Sequence, residues 1–313
     1  MTADLEKSVL VYDVGGTHVS AAVCFGGAYR LGRVVRTLHP AEHSSDAFLN
    51  VLYSLGMEAS TGFNAVSGAE VAVPGPFDFN QGVSLMRHKL PYLYGVNLRL
   101  PLAQRFGWQA GQVRFLHDSA AFLLGEIGDG AARGVPRAVG ITLGTGIGSA
   151  FAVDGKLVTE GPGVAPGGEI WNLPYEGGIV EDAVSSRAIR RTYESRTGVL
   201  REVAELAAAA ANDTAAVEAF AEFGRHLGLA LRMTLAAFAP QVVVLGGGIS
   251  RSGHLFLSAA QHKLEDLSLK LVISASPDEA PLLGAGVAWF NGFNGPNGPS
   301  SYSAADAMHA DAV

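Results

Sequence analysis

The chain has 313 residues, of which 48% are hydrophobic and 16% are charged, so it can bury the core of one large domain or of two ordinary ones. Its formal net charge of -7 argues against nucleic acids and anionic membranes as nonspecific partners. The N-terminus has no basic region followed by an apolar stretch, and no apolar run reaches the ~20 residues of a membrane span, so we expect a cytoplasmic protein with no membrane partner.

The first half of the chain predicts strands followed by helices. Continuous apolar runs favour buried strands, whereas apolar residues spaced three and four apart favour helices. In chain order, the pattern predicts strands over 9–14, 20–25 and 33–37, a helix over 46–55, strands over 70–73 and 113–116, and a helix over 119–128. A turn rich in proline follows the strand over 70–73.

The second half continues the alternation. It predicts a strand over 137–143, a Gly/Pro-rich loop over 161–168, helices over 181–192 and 202–211, a long helix ending near residue 239, strands over 241–245 and 272–274, and a helix over 282–290. The inward face of the long helix is predicted to hold Val217, Phe220, Leu227, Leu231 and Leu235. Residues 291–313 are mainly Gly, Asn, Pro, Ser and Ala, which predicts a disordered tail.

Two stretches echo each other, residues 13–23 and residues 142–153. Each is an apolar strand, a Gly/Thr turn and a second strand entered through Ser-Ala. Glycines let backbone N–H groups approach an anion, and a threonine hydroxyl adds a donor. The turn residues are Gly15, Gly16 and Thr17 in the first stretch and Gly144, Thr145 and Gly146 in the second. Either turn alone is compatible with a plain hairpin, but the pair favours a polyphosphate ligand held at two points.

Two aspartates follow predicted strands. Asp13 precedes the first Gly/Thr turn, where its charge would repel phosphate unless Mg²⁺, held directly or through water, lay between them. The alternative is that Asp13 hydrogen-bonds the turn amides. Asp118 stands where a strand meets a helix, so it is either simply an N-cap or a base that accepts a proton from a substrate hydroxyl.

A third glycine run, Gly246, Gly247 and Gly248, follows the strand over 241–245. It would let a base or ribose lie against the backbone, although an ordinary loop is as good an interpretation. Glu169 and Glu181 lie on separate segments after the Gly/Pro-rich loop. Taken singly, each glutamate is more often a surface residue than a site residue.

In this order, the motifs over residues 8–290 resemble those of the ROK family of sugar kinases and sugar-responsive repressors, within the actin/hexokinase-like ATPase superfamily. Residues 13–17 and 143–148 resemble its two phosphate motifs, 73–76 its sugar-side turn, 118–126 the segment with the catalytic aspartate, and 243–249 its adenosine motif. The resemblance implies an α/β, two-domain actin-like ATPase (ribonuclease H-like) fold with an interdomain cleft. It implies a smaller domain of residues 1–117 with the helix over 281–290, and a larger domain of residues 118–280.

The resemblance also implies the chemistry. A sugar offers adjacent hydroxyls that carboxylates and amides can bind in pairs. The implied sugar-binding residues are Gly75, His88, His117, Asp118, Glu169, Asn172 and Glu181, with Asp118 as the catalytic base. The three glycine-rich turns would hold ATP, and Asp13 would hold Mg²⁺. The implied reaction is ATP-dependent phosphorylation of the primary hydroxyl of a hexose, most like a glucokinase, and the family expectation is a homodimer.

Three departures from the family pattern concern the sugar side. His117 stands where the family usually has Asn, and Asn172 stands where it usually has His, so the two appear exchanged. The segment 173–180, which matches the family's zinc-binding segment, has no cysteine, and the only cysteine of the chain is Cys24, so we expect no zinc site. The alternatives are a kinase for fructose, mannose or an N-acetylhexosamine, and a non-catalytic sugar sensor. A DNA-binding regulator would need an added helix-turn-helix, and the acidic charge disfavours that function.

Overall fold

A computed structural model describes residues 7–27, 29–63, 65–87 and 89–293. The chain divides into two units. Unit 1 comprises Met1–Gly128 and Glu279–Val313, and unit 2 comprises Asp129–Asp278. The predicted tail therefore lies, from residue 294 onward, outside the described residues. No helix in the described ranges is both long and apolar enough to cross a membrane.

Groups of strands alternate with helices along the chain. The strands are β1 Ser8–Val14, β2 His18–Phe25, β3 Arg30–Leu31, β4 Val35–Leu38, β5 Ala69–Val73, β6 Phe77–Asp78, β7 Val83–Ser84, β8 Val113–His117, β9 Arg137–Leu143, β10 Ile147–Val153, β11 Lys156–Val158, β12 Pro174–Tyr175, β13 Gly178–Ile179, β14 Val242–Gly246 and β15 Lys270–Ile273. The α-helices are α1 Ser45–Ala59, α2 Arg99–Phe106, α3 Asp118–Asp129, α4 Val180–Ala183, α5 Ser186–Thr197, α6 Val203–Ala209, α7 Thr214–Leu235, α8 Gly253–His262 and α9 Ala280–Phe290. Short 3₁₀ turns occupy Pro91–Leu93, Ala110–Gln112, Pro166–Gly168 and Gly248–Ser252.

The main sheet of unit 1 has the strand order β3-β2-β1-β5-β8, with β4 also paired to β2. Strands β1 and β2 form an antiparallel hairpin, while β1, β5 and β8 run parallel. Parallel strands are covered on both faces, which explains why β1 and β5 are buried along almost their whole length. The carboxyl ends of β1, β5 and β8 therefore meet at one edge of the sheet.

The main sheet of unit 2 repeats this arrangement with the order β11-β10-β9-β14-β15. Here β9 and β10 form the antiparallel hairpin, and β9, β14 and β15 run parallel. Both units thus place a hairpin beside two parallel strands, and the two echoing sequence stretches form the two hairpins. The predicted α/β fold with two related cores is confirmed.

Each unit has its own apolar core. In unit 1, Tyr12 is fully buried and its hydroxyl donates a hydrogen bond to the carbonyl of Leu52 on α1 (3.0 Å). A β-carbon at Gly56 would overlap that hydroxyl, so a glycine lets α1 lie close to β1. In unit 2, α7 packs on α8 with equally small spacing, because Gly224 and Gly228 face the α8 backbone.

The predicted domain boundary after residue 117 moves to Gly128, because α3 packs on α9 within unit 1. A β-carbon at Gly125 would overlap the carbonyl of Ala280, and one at Gly284 would overlap the carbonyl of Ala121. The two helices therefore cross with their backbones in contact. Helix α3 therefore belongs to unit 1 up to Gly128, and not to the unit that the family resemblance implied.

Two helix predictions also change. The helix predicted over 181–192 is two helices, α4 and α5, and the hydroxyl of Ser185 caps α5 by accepting the Ala188 amide (3.4 Å). Val217, predicted to face inward, is 39% exposed. On α7, Gly224 faces Phe256 of α8 and Gly228 faces Ala260, so the two helices advance together along the chain. Val217 lies seven residues before Gly224, at a level that precedes the first residue of α8, so α8 does not cover it.

Candidate functional site

In unit 1, predicted site residues lie at the shared edge of the parallel strands. Asp13 is the second-last residue of β1 and is half-buried. Gly75 follows the end of β5, and His117 is the last residue of β8, in register with Val73. Because β1, β5 and β8 are parallel, these residues are brought to the same edge of the sheet.

The first Gly/Thr turn joins β1 to β2. The Gly15 N–H donates to the carbonyl of His18 (2.9 Å), which closes the turn. Gly16 and Thr17 are exposed, so their donors are accessible to a ligand. The hydroxyl of Thr17 lies 2.6 Å from Nδ1 of His18, so this hydroxyl also has a partner within the protein.

Asp118 begins α3 directly after β8, with 27% of its side chain exposed. Its Oδ1 accepts the Ser119 N–H (2.6 Å) and lies 2.9 Å from Nδ1 of His117. Burial alone favours the protonated acid, but the charge and hydrogen bond of His117, with Lys89 and the Ser119 amide, outweigh it and hold the pKa of Asp118 below its ordinary value. The carboxylate is therefore ionised at neutral pH, as a general base must be.

His117 is oriented by neighbours on three sides. Its Nδ1 lies 2.6 Å from the hydroxyl of Ser119, besides its contact with Asp118. The ring of Phe79 packs edge-on against it, with the two centroids 6.0 Å apart. The imidazole is only 17% exposed, so its geometry relative to Asp118 is fixed by packing as well as by hydrogen bonds.

In unit 2, the second Gly/Thr turn lies beside the third glycine run. Gly246 pairs with Thr142, so the end of β14 is next to the end of β9. A β-carbon at Gly247 would overlap the backbone of Leu143, and its φ of 80° is itself a glycine conformation. The proposed adenosine and phosphate turns are therefore adjacent within one unit.

Glu181 is bound to the second turn. Its Oε2 accepts the amide of Ile147 (3.2 Å), and a β-carbon at Gly146 would overlap its carboxylate. The amide of Ser186 also donates to the carbonyl of Gly144 (2.9 Å). The two helices that follow the Gly/Pro-rich region thus hold this turn from one side. Glu181 was predicted to bind sugar, and the contact found in the structure is with the second Gly/Thr turn.

The loop around Glu169 is attached to β10. The hydroxyl of buried Ser149 donates to the carbonyl of Gly168 (2.7 Å) and accepts the Ile170 amide (3.0 Å). The half-buried Glu169 carboxylate accepts the indole N–H of Trp171 (2.5 Å), whereas Asn172 is exposed. Trp171 thus fixes the rotamer of Glu169, a residue predicted to bind the sugar. The sequence pattern did not indicate this role of Trp171.

The segment without cysteines is held by packing and hydrogen bonds. Strands β12 and β13 form a small hairpin in which Tyr175 is nearly buried. Its hydroxyl lies 2.9 Å from Nδ1 of His226 on α7. Burial, with the nearby Glu176, raises the pKa of Tyr175 to about 12. Within the described ranges no three His, Cys, Asp or Glu side chains are grouped so as to hold a metal ion.

Asp13 lies beside the exposed donors of the first turn, so its carboxylate is the side chain there that could bind a hard cation. Such a site fits Mg²⁺, which commonly keeps several waters and takes one or two carboxylates plus phosphate oxygens. Of the predicted site residues, His88 lies outside the described residues. Sequence reasoning missed Ser119 and Trp171, which contact predicted site residues, and His39, whose side chain binds the first turn (2.8 Å to the carbonyl of Gly15).

The comparisons with known proteins agree with this arrangement. The chain matches the ROK family over residues 9–291. It is 28% identical over 306 residues to a glucokinase of Thermotoga maritima, covering 87% of this chain and 94% of that protein. It is 27% identical over 265 residues to an N-acetyl-D-glucosamine kinase of Pectobacterium atrosepticum, covering 78% of this chain and 85% of that one.

The fold is similar to the crystal structure of a ROK family glucokinase from Streptomyces griseus in complex with glucose and AMPPNP, with a TM-score of 0.74 and 23% identity over 90% of this chain and 98% of that one. The duplicated strand order and the paired glycine-rich turns define an α/β protein of the actin-like ATPase fold. Within that class, the chain belongs to the ROK family.

Proposed function

We propose that this ROK family sugar kinase is an ATP-dependent hexokinase that transfers the γ-phosphoryl group of ATP to the primary hydroxyl of a hexose, with glucose as the first candidate. The observation that carries the proposal is Asp118, an ionised, partly exposed carboxylate at the carboxyl edge of the parallel strands. A phosphate-binding protein without acceptor chemistry would have no need of an ionised, partly exposed carboxylate at that edge.

Asp118 would act as the base. The transition state of phosphoryl transfer is loose, so the acceptor hydroxyl loses its proton late and a carboxylate suffices to receive it. The Ser119 amide and Nδ1 of His117 contact the same oxygen, Oδ1, and so hold the carboxylate in one orientation. The other oxygen of Asp118 would then face the sugar hydroxyl.

The glycine-rich turns would bind the nucleotide. The exposed donors of Gly16 and Thr17 in unit 1 and of Thr145 in unit 2 suit phosphate oxygens. Gly247 and Gly248 lie next to the second turn, so a nucleoside whose phosphates bind that turn would place its ribose or base against backbone without side chains. When bound at Asp13, Mg²⁺ would neutralise phosphate charge during transfer.

The sugar would be held by the residues for which the family resemblance implies that role. Gly75 and His117 stand with Asp118 at the strand edge of unit 1. In unit 2, Glu169 is fixed by Trp171, and exposed Asn172 offers an amide that can donate to one hydroxyl and accept from another. We propose that the two carboxylate oxygens of Glu181 have different partners: Oε2 accepts the Ile147 amide of the second turn, and the other oxygen accepts a hydrogen bond from a sugar hydroxyl.

The specific hexose is a proposal of its own. The relative in Thermotoga maritima favours glucose, and the relative in Pectobacterium atrosepticum, of nearly equal identity, favours N-acetylglucosamine. The test is an assay of ADP formation from MgATP with glucose, mannose, fructose and N-acetylglucosamine, followed by identification of the phosphorylated position. We expect the highest kcat/KM with glucose and the 6-phosphate as product.

Two results would contradict the proposal. Higher kcat/KM for N-acetylglucosamine would transfer the assignment to the alternative kinase. Saturable binding of sugar without turnover of any of the four, in protein that also binds MgATP, would instead identify a non-catalytic sugar sensor. The Asp118→Asn variant, purified in parallel, controls for a contaminating kinase.

A further inference from the structure

His39 binds the first Gly/Thr turn at two points. It lies directly after β4, the strand that pairs with β2 beside the turn. Its Nε2 is 2.8 Å from the carbonyl oxygen of Gly15, and its backbone N–H donates to the carbonyl of Thr17 (3.1 Å). A carbonyl can only accept, so Nε2 carries the proton in this contact. Both ends of the turn are therefore attached to one residue.

The imidazole of His39 is held for this contact by packing. It stacks on Phe48 of α1, with ring centroids 5.9 Å apart and an interplanar angle of 25°. Phe48 is fully buried, so this support is rigid. Nδ1 of His39 is buried and has no hydrogen-bond partner among the described residues. Within those residues, the carbonyl of Gly15 is thus the hydrogen-bond partner of the ring.

This contact determines which way a neighbouring donor faces. In a trans peptide the C=O of one residue and the N–H of the next point in opposite directions. When His39 holds the carbonyl of Gly15, the N–H of Gly16 must face the opposite side of the peptide. Two successive glycines would otherwise let this peptide rotate, because neither has a β-carbon to restrict it. His39 thus supplies a constraint that the glycines themselves lack.

We propose that His39 is a positioning residue for the phosphoryl donor: by holding the carbonyl of Gly15, it directs the N–H of Gly16 toward a phosphate oxygen. The inference rests on the proposed function, since it assigns a donor-binding role to the first turn. In this role His39 would act through the turn, without contacting either substrate. Losing it should therefore weaken binding of the nucleotide and leave binding of the sugar unchanged.

The experiment compares two substitutions of His39. The side chain of glutamine is long enough to place its amide nitrogen at the position of the histidine Nε2. The side chain of asparagine is shorter, so its amide nitrogen lies at the position of Nδ1 and does not reach the carbonyl of Gly15. His39→Asn should raise the KM for MgATP about 3- to 10-fold, as expected for one lost hydrogen bond, with the KM for the sugar within twofold of wild type. His39→Gln should restore most of the lost affinity. His43→Asn is the control, because His43 is an exposed neighbour that stacks on Tyr92 instead.

A second readout separates positioning from folding. Titration calorimetry with a non-hydrolysable ATP analogue and Mg²⁺, without sugar, should show the same order of affinities, wild type and His39→Gln above His39→Asn. Equal KM values for MgATP in wild type and His39→Asn would overturn the inference while leaving the kinase assignment intact. Equal rises in both KM values together with a lowered Tm would also overturn it, because His39 would then be merely structural. Absence of sugar phosphorylation by the wild type would instead refute the proposed function.

Discussion

At the residue scale, the proposed chemistry depends on the ionised carboxylate of Asp118. Asp118→Asn keeps the shape and the hydrogen-bonding capacity of the side chain but removes the proton acceptor. We expect kcat to fall roughly 10²- to 10⁴-fold, the usual contribution of a general base, while the Kd for the sugar changes little. Steady-state kinetics and direct binding measurements on the same preparation test this. A kcat near the wild-type value would exclude Asp118 and move the base to Glu169 or to water.

His117 and Asn172 are the pair that appears exchanged relative to the family pattern, and they allow a second prediction. Replacing either with Ala should raise the sugar KM by about 2- to 10-fold, with less effect on the KM for MgATP, because one hydrogen bond to a hydroxyl is lost. Only His117→Ala should also change the pH profile. Activity needs the ionised carboxylate of Asp118, so it falls as pH drops through the pKa of that group, and His117 lowers that pKa.

Without His117, the pKa of Asp118 rises and the acid limb of kcat moves to higher pH. Asn172→Ala is the matched control, since the structure gives Asn172 an exposed position, and its acid limb should stay where it is. Unchanged sugar KM values in both variants would mean that the two residues are structural. An acid limb that does not move in His117→Ala would mean that the histidine does not support the carboxylate.

The residues that the sequence predicted and those that it missed differ in a physical respect. Asp13, Asp118 and the glycine turns are predictable because each belongs to a short motif in which the strand, the turn and the polar group are consecutive. What the sequence missed are contacts between distant residues: His39 lies 24 residues from Gly15, and Glu181, itself a predicted site residue, lies 34 residues from Ile147. Such contacts depend on which strands pair and on where helices pack, and a single sequence gives no direct signal for them.

At the element scale, Glu181 has two proposed roles, to hold the second turn and to bind the sugar, and substitutions can test them separately. Glu181→Gln keeps an oxygen that can accept the Ile147 amide but removes the negative charge, so we expect a higher sugar KM and a KM for MgATP within twofold of wild type. Glu181→Ala removes both, so the KM for MgATP should rise as well, by about 3- to 10-fold. Kinetics of the two variants against both substrates test the division.

If Glu181→Gln leaves the sugar KM unchanged while Glu181→Ala raises only the KM for MgATP, Glu181 serves the turn alone and the sugar role is wrong. Glu176→Ala is the control for nonspecific effects in this region, because Glu176 is an exposed residue in the turn between β12 and β13. It should leave both KM values unchanged.

The buried central strands were predicted more closely than the two-residue strands and some of the helices, for identifiable reasons. Strands β1, β5 and β14 are buried runs with few polar residues, and their bounds agree with the prediction to within one or two residues. The split between α4 and α5 was missed because the cap at Ser185 interrupts a pattern that is otherwise periodic. Helices α2 and α8 were not predicted at all. Helix α2 has only eight residues, and α8 directly follows a glycine-rich turn.

At the scale of the whole molecule, the chain leaves unit 1 after Gly128 and returns to it at Glu279. Helix α9 therefore completes a unit whose strands all precede unit 2 in the chain. A β-carbon at Gly286 would overlap the side chain of Cys24, so this glycine lets α9 lie close to β2. The repeated hairpin predicted the duplication from sequence, because it appears as two local patterns. The place of α3 with α9 was not predictable, since it depends on a crossing of helices far apart in the chain.

The buried pair of Glu70 and Arg114, near α9, should make the stability of the chain depend on pH. Glu70 on β5 is 1% exposed, and its Oε2 accepts a hydrogen bond from Nε of Arg114 on β8 (2.7 Å). The guanidinium of Arg114 also lies over the ring of Trp289 on α9 (4.2 Å). Burial raises the pKa of Glu70 to about 7, although the charge and hydrogen bonds of Arg114 act against that rise.

The sign of the effect follows from linkage. Between the ordinary pKa of a glutamate and about 7, the native state binds a proton at Glu70 that the unfolded state releases. The free energy of unfolding should therefore fall as pH rises through this interval, by up to about 3 kcal/mol at 1.36 kcal/mol per pKa unit. Glu70→Gln cannot ionise, so its stability should lack this contribution and fall less steeply than that of the wild type over the same range. Glu58→Gln is the matched control, because Glu58 pairs with Arg33 in the same unit but is 52% exposed, and it should keep the wild-type slope.

Urea unfolding of the three proteins at closely spaced pH values between about 4.5 and 8 measures the slopes. Equal slopes in wild type and Glu70→Gln would show that Glu70 stays ionised beside Arg114 throughout, and that the ion pair, not burial, sets its charge.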